Sequence, residues 1–295
     1  MRAAHLRSLL ALTLALGACP AADADRPAED AAVSVQDTLA APDSGEPDDV
    51  GGADTRAVDA TPDAAVMPPG ERTIAGRAYF FDLSDSLSIE QITAVSGAVI
   101  SVFEYPDVSV TADDDGAFSL GGLPDGVELT IALEHPDYFP SLTRTFVLAG
   151  EDVTDVTFQA LSTTIAAVAA AIVGVDAGDP EVCIMATTVT AISAGMGTIW
   201  AAGEPGATVT TEPAIAAEYG PIYFNTSVTP DPSLSETTTD GGVVIAGRLE
   251  GRYQWHGHKA QYAFAPLTMR CVPGWLTNAS PPYGLVVTSA PVGRR

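Results

Sequence analysis

Two histidines close together, His256 and His258, are the first residues whose types and spacing could bind a metal ion. Residues two apart on a β-strand share a face, so both imidazoles could reach one ion. A third ligand is not evident from the spacing, and the alternative is a pair of exposed histidines in a loop. We favour the exposed loop and predict no metal and no other cofactor.

The acidic run Asp113–Asp115 is the second candidate for metal chemistry, because three carboxylates in a row resemble part of a calcium loop. The glycine follows one residue after the run, and no glutamate stands at the twelfth position that such a loop requires. We therefore interpret the run as turn acids, with a weak calcium contact as the alternative.

Catalytic nucleophiles are the next chemistry to consider. The sequence has no Gly-x-Ser-x-Gly motif, and its single lysine, Lys259, has no serine three residues before it. Aspartate and glutamate total 38 residues, so some carboxylates must lie close by chance, and none is assigned to glycoside hydrolysis. We predict that the protein is not an enzyme.

Aromatic side chains gather near the C-terminus, where Tyr253, Trp255, Tyr262, Trp275 and Tyr283 lie among polar residues. Flat aromatic faces beside hydrogen-bonding groups are what sugar binding requires. Four of these residues, Tyr253, Trp255, Trp275 and Tyr283, are therefore candidate ligand-binding residues. We favour the other interpretation, in which Trp255 and Trp275 pack in a core or cover a strand edge.

The N-terminus has the pattern of a secretory signal. Arg2 and Arg7 precede the short apolar run Leu9–Leu16, which is too short for a stable membrane-spanning helix. The following letters LGAC resemble a bacterial lipobox, which implies cleavage before Cys19 and lipidation of that cysteine. Pro20 replaces the aspartate of an inner-membrane retention signal, which favours the outer membrane. The alternative is an ordinary signal peptide that happens to contain a cysteine.

The other two cysteines, Cys183 and Cys271, would share an oxidising compartment. We predict a disulfide between them, which would close about ninety residues and stabilise by roughly 4 to 5 kcal/mol on the chain-entropy model. Two independent buried thiols are the alternative.

Residues 20–70 form an acidic tether. They contain twelve acidic residues, two arginines, seven prolines and no aromatic residue, so they cannot bury enough apolar surface to fold. The whole chain has a net charge of -25, which repels phosphates and excludes nucleic acid as a partner.

From about Thr73 the chain reads as short β-strands with turns about every ten residues, which predicts an antiparallel β-sandwich. Three stretches, GAVISV (97–102), TADDDGAFSLGGLPDG (111–126) and HPDYFP (135–140), resemble the carboxypeptidase regulatory-like domain. That resemblance implies a transthyretin-like sandwich, related to starch-binding modules. Asp137 stands where the family usually has glycine, and the zinc motif of the peptidase itself is absent.

A second, divergent copy of this pattern follows. PGATVTT (205–211) parallels SGAVISV, and TTDGGVVIAGRLEG (238–251) parallels TADDDGAFSLGGLPDG. With the glycines superposed, Phe118 falls on Val243 and Leu120 on Ile245, which predicts alternate inward positions of one strand. The second copy carries an insertion with an exposed loop or an extra strand at 221–224.

Alanines between Ser162 and Gly174 predict a short helix, capped by Ser162 or Thr163 and ended by Gly174. Roughly twelve residues are too few to span a bilayer, so the helix should pack at the junction of the two copies. The predicted parts are therefore a signal peptide (1–18), a lipidated cysteine with a disordered tether (19–70), a first sandwich (71–160), a helical linker (161–180) and a second sandwich (181–295).

These patterns predict an all-β, non-catalytic lipoprotein of the bacterial envelope with two tandem sandwich modules. Adhesion, scaffolding or interaction with envelope proteins is the expected role. Carbohydrate binding through the aromatic residues of the second module is the alternative. A lipid anchor would hold the protein at the membrane, with the outer membrane as its expected location.

Overall fold

The computed structural model describes residues 67–81, 93–191, 203–279 and 284–290. The predicted signal peptide, Cys19, nearly all of the tether and Tyr283 lie outside the described residues. All described residues belong to one compact unit, Asp59–Arg295.

The described residues form seventeen strands and one α-helix. The elements are β1 (Arg72–Phe80), β2 (Val99–Val102), β3 (Tyr105–Thr111), β4 (Ala117–Leu123), β5 (Glu128–Glu134), β6 (Ser141–Val147), β7 (Val153–Ala160), α1 (Thr163–Ile172), β8 (Cys183–Thr190), β9 (Thr208–Glu212), β10 (Ile222–Phe224), β11 (Pro230–Asp231), β12 (Gly242–Gly247), β13 (Gly251–His258), β14 (Ala263–Phe264), β15 (Leu267–Cys271), β16 (Leu276–Ala279) and β17 (Leu285–Ser289). The predicted all-β fold with a linking helix is confirmed.

The first sandwich packs the sheet β4–β1–β7 against the sheet β6–β5–β2–β3. Period-two alternation places Leu129, Ile131 and Leu133 of β5 inward, where each is fully buried. The pairing of β1 with β7 is parallel, whereas the sequence pattern predicted antiparallel strands throughout. A parallel neighbour requires a long crossover, and the intervening strands of both sheets supply it.

The turn at 113–116 does not join two strands that pair with each other. β3 pairs with β2, whereas β4 pairs with β1, so the turn carries the chain from one sheet to the other. The Asp113 carboxylate accepts hydrogen bonds from the N–H groups of Asp115 and Ala117, at 3.0 and 2.8 Å. The sequence therefore predicted the turn, but it did not predict which sheet the next strand would join.

The second sandwich repeats this architecture. β12, β8 and the pair β16 and β17 form one sheet, with β12 antiparallel to β8 and the other two parallel to it. The sheet β15–β13–β9 packs against them around a second core. In order and direction, β12, β8 and the pair β16 and β17 correspond to β4, β1 and β7 of the first sandwich. Likewise, β15, β13 and β9 correspond to β6, β5 and β2.

The repeat extends to individual backbone hydrogen bonds. Four backbone hydrogen bonds of the first sandwich recur in the second. In the first sandwich they run from Ala78 N–H to Gly116 O, Val95 N–H to Ala78 O, Gly97 N–H to Ala112 O and Ala112 N–H to Ala98 O. In the same order, the second has Val189 N–H to Gly241 O, Glu204 N–H to Val189 O, Gly206 N–H to Thr237 O and Thr237 N–H to Ala207 O. The superposition of the glycines predicted this correspondence, and Phe118, Leu120, Val243 and Ile245 are all buried.

The two sandwiches share a strand. β16 lies between β8 of the second sandwich and β6 of the first and runs parallel to both, which fuses their sheets into one. The Leu276 N–H donates to Pro140 O at 3.0 Å across this junction. Beside it, Arg270 Nε lies 2.9 Å from Glu104 Oε1, and Arg252 forms an ion pair with Glu128.

Helix α1 follows the first sandwich. The Ser162 hydroxyl accepts a hydrogen bond from the Ile165 N–H at 3.2 Å, so Ser162 is the N-cap. Gly174, at φ +83°, follows the last turn, as expected for a helix stop. Ala166 and Ala170 face inward, and Ala170 joins a third apolar cluster on the outer face of β8 and β12.

Candidate functional site

The aromatic residues predicted to bind sugar do not form an exposed platform. Trp255 is fully buried and Tyr253 is 8% exposed, because both lie on the inner face of β13. Trp275 is half-buried, and its ring packs edge-on against Phe103 with 5.7 Å between the centroids. The core interpretation of the tryptophans therefore holds for Trp255, and Tyr253 is buried with it, so neither can offer a face to a sugar.

The two histidines share the outer face of β13, as their spacing predicted. They lie on a strand, however, and not in the exposed loop that we favoured. His258 is exposed, and its Nε2 lies 2.7 Å from Thr210 Oγ1. In the described part of the chain, no group of three or more His, Cys, Asp or Glu side chains is placed to hold a metal ion.

The disulfide between Cys183 and Cys271 is present in the structure. It joins β8 of one sheet to β15 of the other, with 5.6 Å between the Cα atoms, and both cysteines are buried in the second core. The bridge therefore holds together the two faces of the second sandwich and has a structural role.

One feature that the sequence did not predict is a cavity of about 550 Å³, here called the α1 cavity. It lies between helix α1, the outer face of β8 and β12, and the β10–β11 hairpin. Phe81 and Phe139 of the first sandwich close one side. Most of its lining is apolar, and its volume is in the range of small-molecule sites in proteins.

The insertion of the second sandwich builds one wall of this cavity. The sequence predicted an extra strand at 221–224, and β10 occupies Ile222–Phe224. The ring of Phe224 packs on Gly242, where a Cβ would come within 2.7 Å of the ring. The corresponding residue of the first sandwich is Ala117. Glycine at 242 thus makes room for Phe224.

Asp240 lines the cavity beside Phe224. Its Oδ2 accepts a hydrogen bond from the Gly242 N–H at 3.0 Å, and burial raises the pKa of its carboxyl above the ordinary aspartate value. The residue at the same place in the first sandwich, Asp115, is exposed. Among the described lining residues Asp240 is the one ionisable group.

A strained residue stands at the tip of the same hairpin. Val228 has φ +58°, in the left-handed region that β-branched residues rarely adopt. The Asn225 carbonyl accepts from the Val228 N–H, and its side-chain oxygen accepts from the Ser227 and Thr229 N–H groups, which holds the turn. The strained turn leaves Val228 lining the α1 cavity.

The chain matches no known family. No curated protein matches it either. Solved structures that resemble it include GBS52, the minor pilin of Streptococcus agalactiae, at 11% identity over 76% of this chain and 98% of that one, with a TM-score of 0.25. The shaft pilin SpaA of Lactobacillus rhamnosus GG resembles it at 11% identity over 76% of this chain and 100% of its own, with a TM-score of 0.22.

The Bacillus anthracis TIE protein is similar at 12% identity over 71% of this chain, with a TM-score of 0.22. This chain spans 33% of that protein's length. Likenesses of this size do not indicate a function for this chain. Within the described ranges, no helix is long and apolar enough to cross a membrane.

Proposed function

We propose that this protein is a non-catalytic lipoprotein of the bacterial envelope, anchored through Cys19 in the outer membrane. Its two sandwiches would form one rigid body for adhesion or scaffolding, with envelope proteins as partners. The anchor rests on the LGAC stretch that ends at Cys19. The observation that carries the scaffold role is the shared strand β16, because a sheet continuous across both sandwiches leaves no free linker at which they could hinge.

Three further features support this role. Ion pairs of Glu104 with Arg270 and of Glu128 with Arg252 join the sandwiches beside the shared strand. A disulfide links the two sheets of the second sandwich, as is common in proteins of oxidising compartments. The acidic composition of residues 19–70 suits a spacer between a membrane and a folded body. We also infer that the first sandwich is of the carboxypeptidase regulatory-like type.

The anchor is tested with the full-length protein expressed in a bacterial host that is fed an alkyne-labelled fatty acid. The native chain should incorporate the label and partition into detergent, and Cys19→Ser should do neither. The matched control replaces the other two cysteines together, Cys183→Ser with Cys271→Ser, and should keep the label.

Two results would overturn the anchor: label retained in Cys19→Ser, or no label in the native chain. Separation of inner and outer membranes on a density gradient then tests the location. Recovery of the labelled protein in the inner-membrane fraction would contradict the proposed outer-membrane site.

A further inference from the structure

We propose that the α1 cavity is a binding site for an amphiphilic molecule with a primary ammonium head. The head would lie against Asp240 and Phe224, and the apolar body would lie between α1 and the outer face of β8 and β12. This site is independent of the lipid anchor and goes beyond the adhesion or scaffolding role.

The apolar part of the inference rests on the cavity walls. Ile165, Val168 and Ile172 of α1 face Ile184 and Val244 of the sheet across the space. Val168 and Ile172 remain 59% and 37% exposed, among the few large exposed apolar side chains of the described residues. An aliphatic body in the cavity would remove this surface from water, which is favourable in proportion to the area covered.

The charged part rests on Asp240. Its carboxyl is half-buried in a largely apolar wall and accepts one backbone N–H. No salt bridge among the described residues includes Asp240. The internal segments outside the described residues, 82–92, 192–202 and 280–283, contain no Lys, Arg or His. A carboxylate placed this way is stabilised by a cation from outside these parts of the chain.

The aromatic part rests on Gly242. A Cβ built there would lie 2.6 Å from Asp240 Oδ2 and 2.7 Å from Phe224 Cγ, so the carboxylate and the ring both lie against Gly242 and are neighbours in the cavity wall. A carboxylate beside an aromatic face is a pair of groups that binds ammonium ions, by charge and by cation–π attraction. The first sandwich differs at both places, since its Asp115 is exposed and Ala117 replaces the glycine.

The β10–β11 hairpin, which supplies Phe224, has backbone strain at its tip, and the folding of the hairpin itself does not explain that strain. Val228 adopts a left-handed conformation at its tip, and such strain is concentrated at binding and active sites. Glycine or asparagine would form the same turn without that strain. The valine side chain lines the cavity, which accounts for its presence if the cavity is occupied by an apolar group.

The test uses the full chain carrying Cys19→Ser, so that no detergent competes for the cavity. Binding of n-decylamine, n-decanol and decanoate, each below its aggregation limit, is measured by calorimetry at 0.15 M salt. We expect one decylamine per chain, bound at least about tenfold more tightly than decanol, with decanoate weakest. Equal affinity for all three, or no binding, would overturn the proposal.

Two pairs of variants locate the site. Asp240→Asn should reduce the preference for amine over alcohol to within about twofold, while Asp115→Asn, at the same place in the first sandwich, should leave it unchanged. Ala169→Trp, which fills the cavity, should abolish binding, whereas Ala167→Trp, on the exposed side of α1, should not. Equal effects within either pair would point to general attraction by the net charge of -25 and overturn the site.

Arginines outside the described residues are the competing source of a cation: Arg2, Arg7, Arg26 and Arg56 before the sandwiches, and Arg294 and Arg295 after them. Replacing the first four together by glutamine, or the last two together, should leave decylamine affinity unchanged. An affinity increase of about tenfold or more in either variant would identify that segment as the occupant and overturn a free amphiphile.

Discussion

Gly116 and Gly241 hold the same place in the two sandwiches, and both have a carbonyl oxygen where a side chain would begin. A Cβ at Gly116 would lie 2.4 Å from Ala78 O, and one at Gly241 would lie 2.5 Å from Val189 O. Both residues also have positive φ, at 71° and 79°. The turn therefore needs glycine for two separate reasons, backbone conformation and close approach.

Gly116→Ala should destabilise the protein by more than about 2 kcal/mol, measured by urea unfolding, because it adds a backbone clash to the left-handed penalty. Gly97→Ala is the matched control, since Gly97 has φ +76° with open space around its Cβ position. That variant should lose only about 1 kcal/mol. Equal losses would show that close approach contributes nothing.

Asp240 gives the second residue-scale prediction. Burial raises its folded-state pKa, so the contribution of Asp240 to stability should be highest below the ordinary aspartate pKa of 3.8 and fall as pH rises through the folded value. Asp240→Asn cannot ionise and should be more stable than the native chain at pH 7. The difference should vanish below pH 3.8.

Thermal unfolding of the native chain, Asp240→Asn and Asp115→Asn across this pH range measures the effect. Asp115 occupies the same repeat position but is exposed, so Asp115→Asn should give no comparable gain at pH 7. A gain for Asp240→Asn that persisted below pH 3.8 would mean that ionisation is not its cause.

At the scale of elements, α1 and the β10–β11 hairpin distinguish this protein from two plain sandwiches. Helix α1 packs on the outer face of β8 and β12, and the hairpin extends that sheet, because β10 pairs with β12 and adds Ile222 and Phe224 to the same apolar cluster. The helix has no charged residue, and its first turn is held by the Ser162 side chain. Helix α1, which forms one wall of the α1 cavity, is therefore stabilised by an N-cap residue, Ser162, that does not itself line the cavity.

Ser162→Ala should cost about 1 kcal/mol, because the Ile165 N–H loses its side-chain acceptor. Thr164→Ala, at an exposed position of the first turn, is the control and should change stability by less than about 0.5 kcal/mol. Urea unfolding measures both. Decylamine affinity should also fall in Ser162→Ala. A loss of stability with unchanged affinity would show that binding in the α1 cavity does not depend on the Ser162 cap.

At the scale of the whole molecule, the continuous sheet should make the two sandwiches unfold together. β16 completes the sheet of the second sandwich and covers the edge of β6 in the first, so neither sandwich can open without breaking strand pairs of the other. Calorimetry should show one transition, with equal calorimetric and van't Hoff enthalpies.

Leu276→Pro should split that transition in two, because it removes the N–H that donates to Pro140 O at the junction. Leu276→Ala keeps the N–H and loses a similar apolar contact, so it should lower the single transition without splitting it. Two transitions in the native chain would contradict cooperative unfolding of the sandwiches.

The sequence by itself determined the features that depend on local chemistry. Turn glycines, strand alternation and the Ser162 cap are each decided within a few residues, so the repeat, the inward positions of Phe118 and Leu120, and α1 were predictable. The pairing of Cys183 with Cys271 followed from there being two cysteines in one expected compartment. The spacing of His256 and His258 indicated that they would share a face on a strand, but it did not establish that strand, and we favoured an exposed loop.

Only the tertiary structure decided which strands pair and which faces are covered. The same alternation that places Trp255 on one face of β13 does not say whether that face meets a core or water, and the facing sheet buries it. The shared strand β16 and the α1 cavity depend on contacts between residues more than a hundred positions apart, such as Ser141 with Leu276. No local pattern encodes these contacts, because they arise only when separate apolar faces are brought together to exclude water.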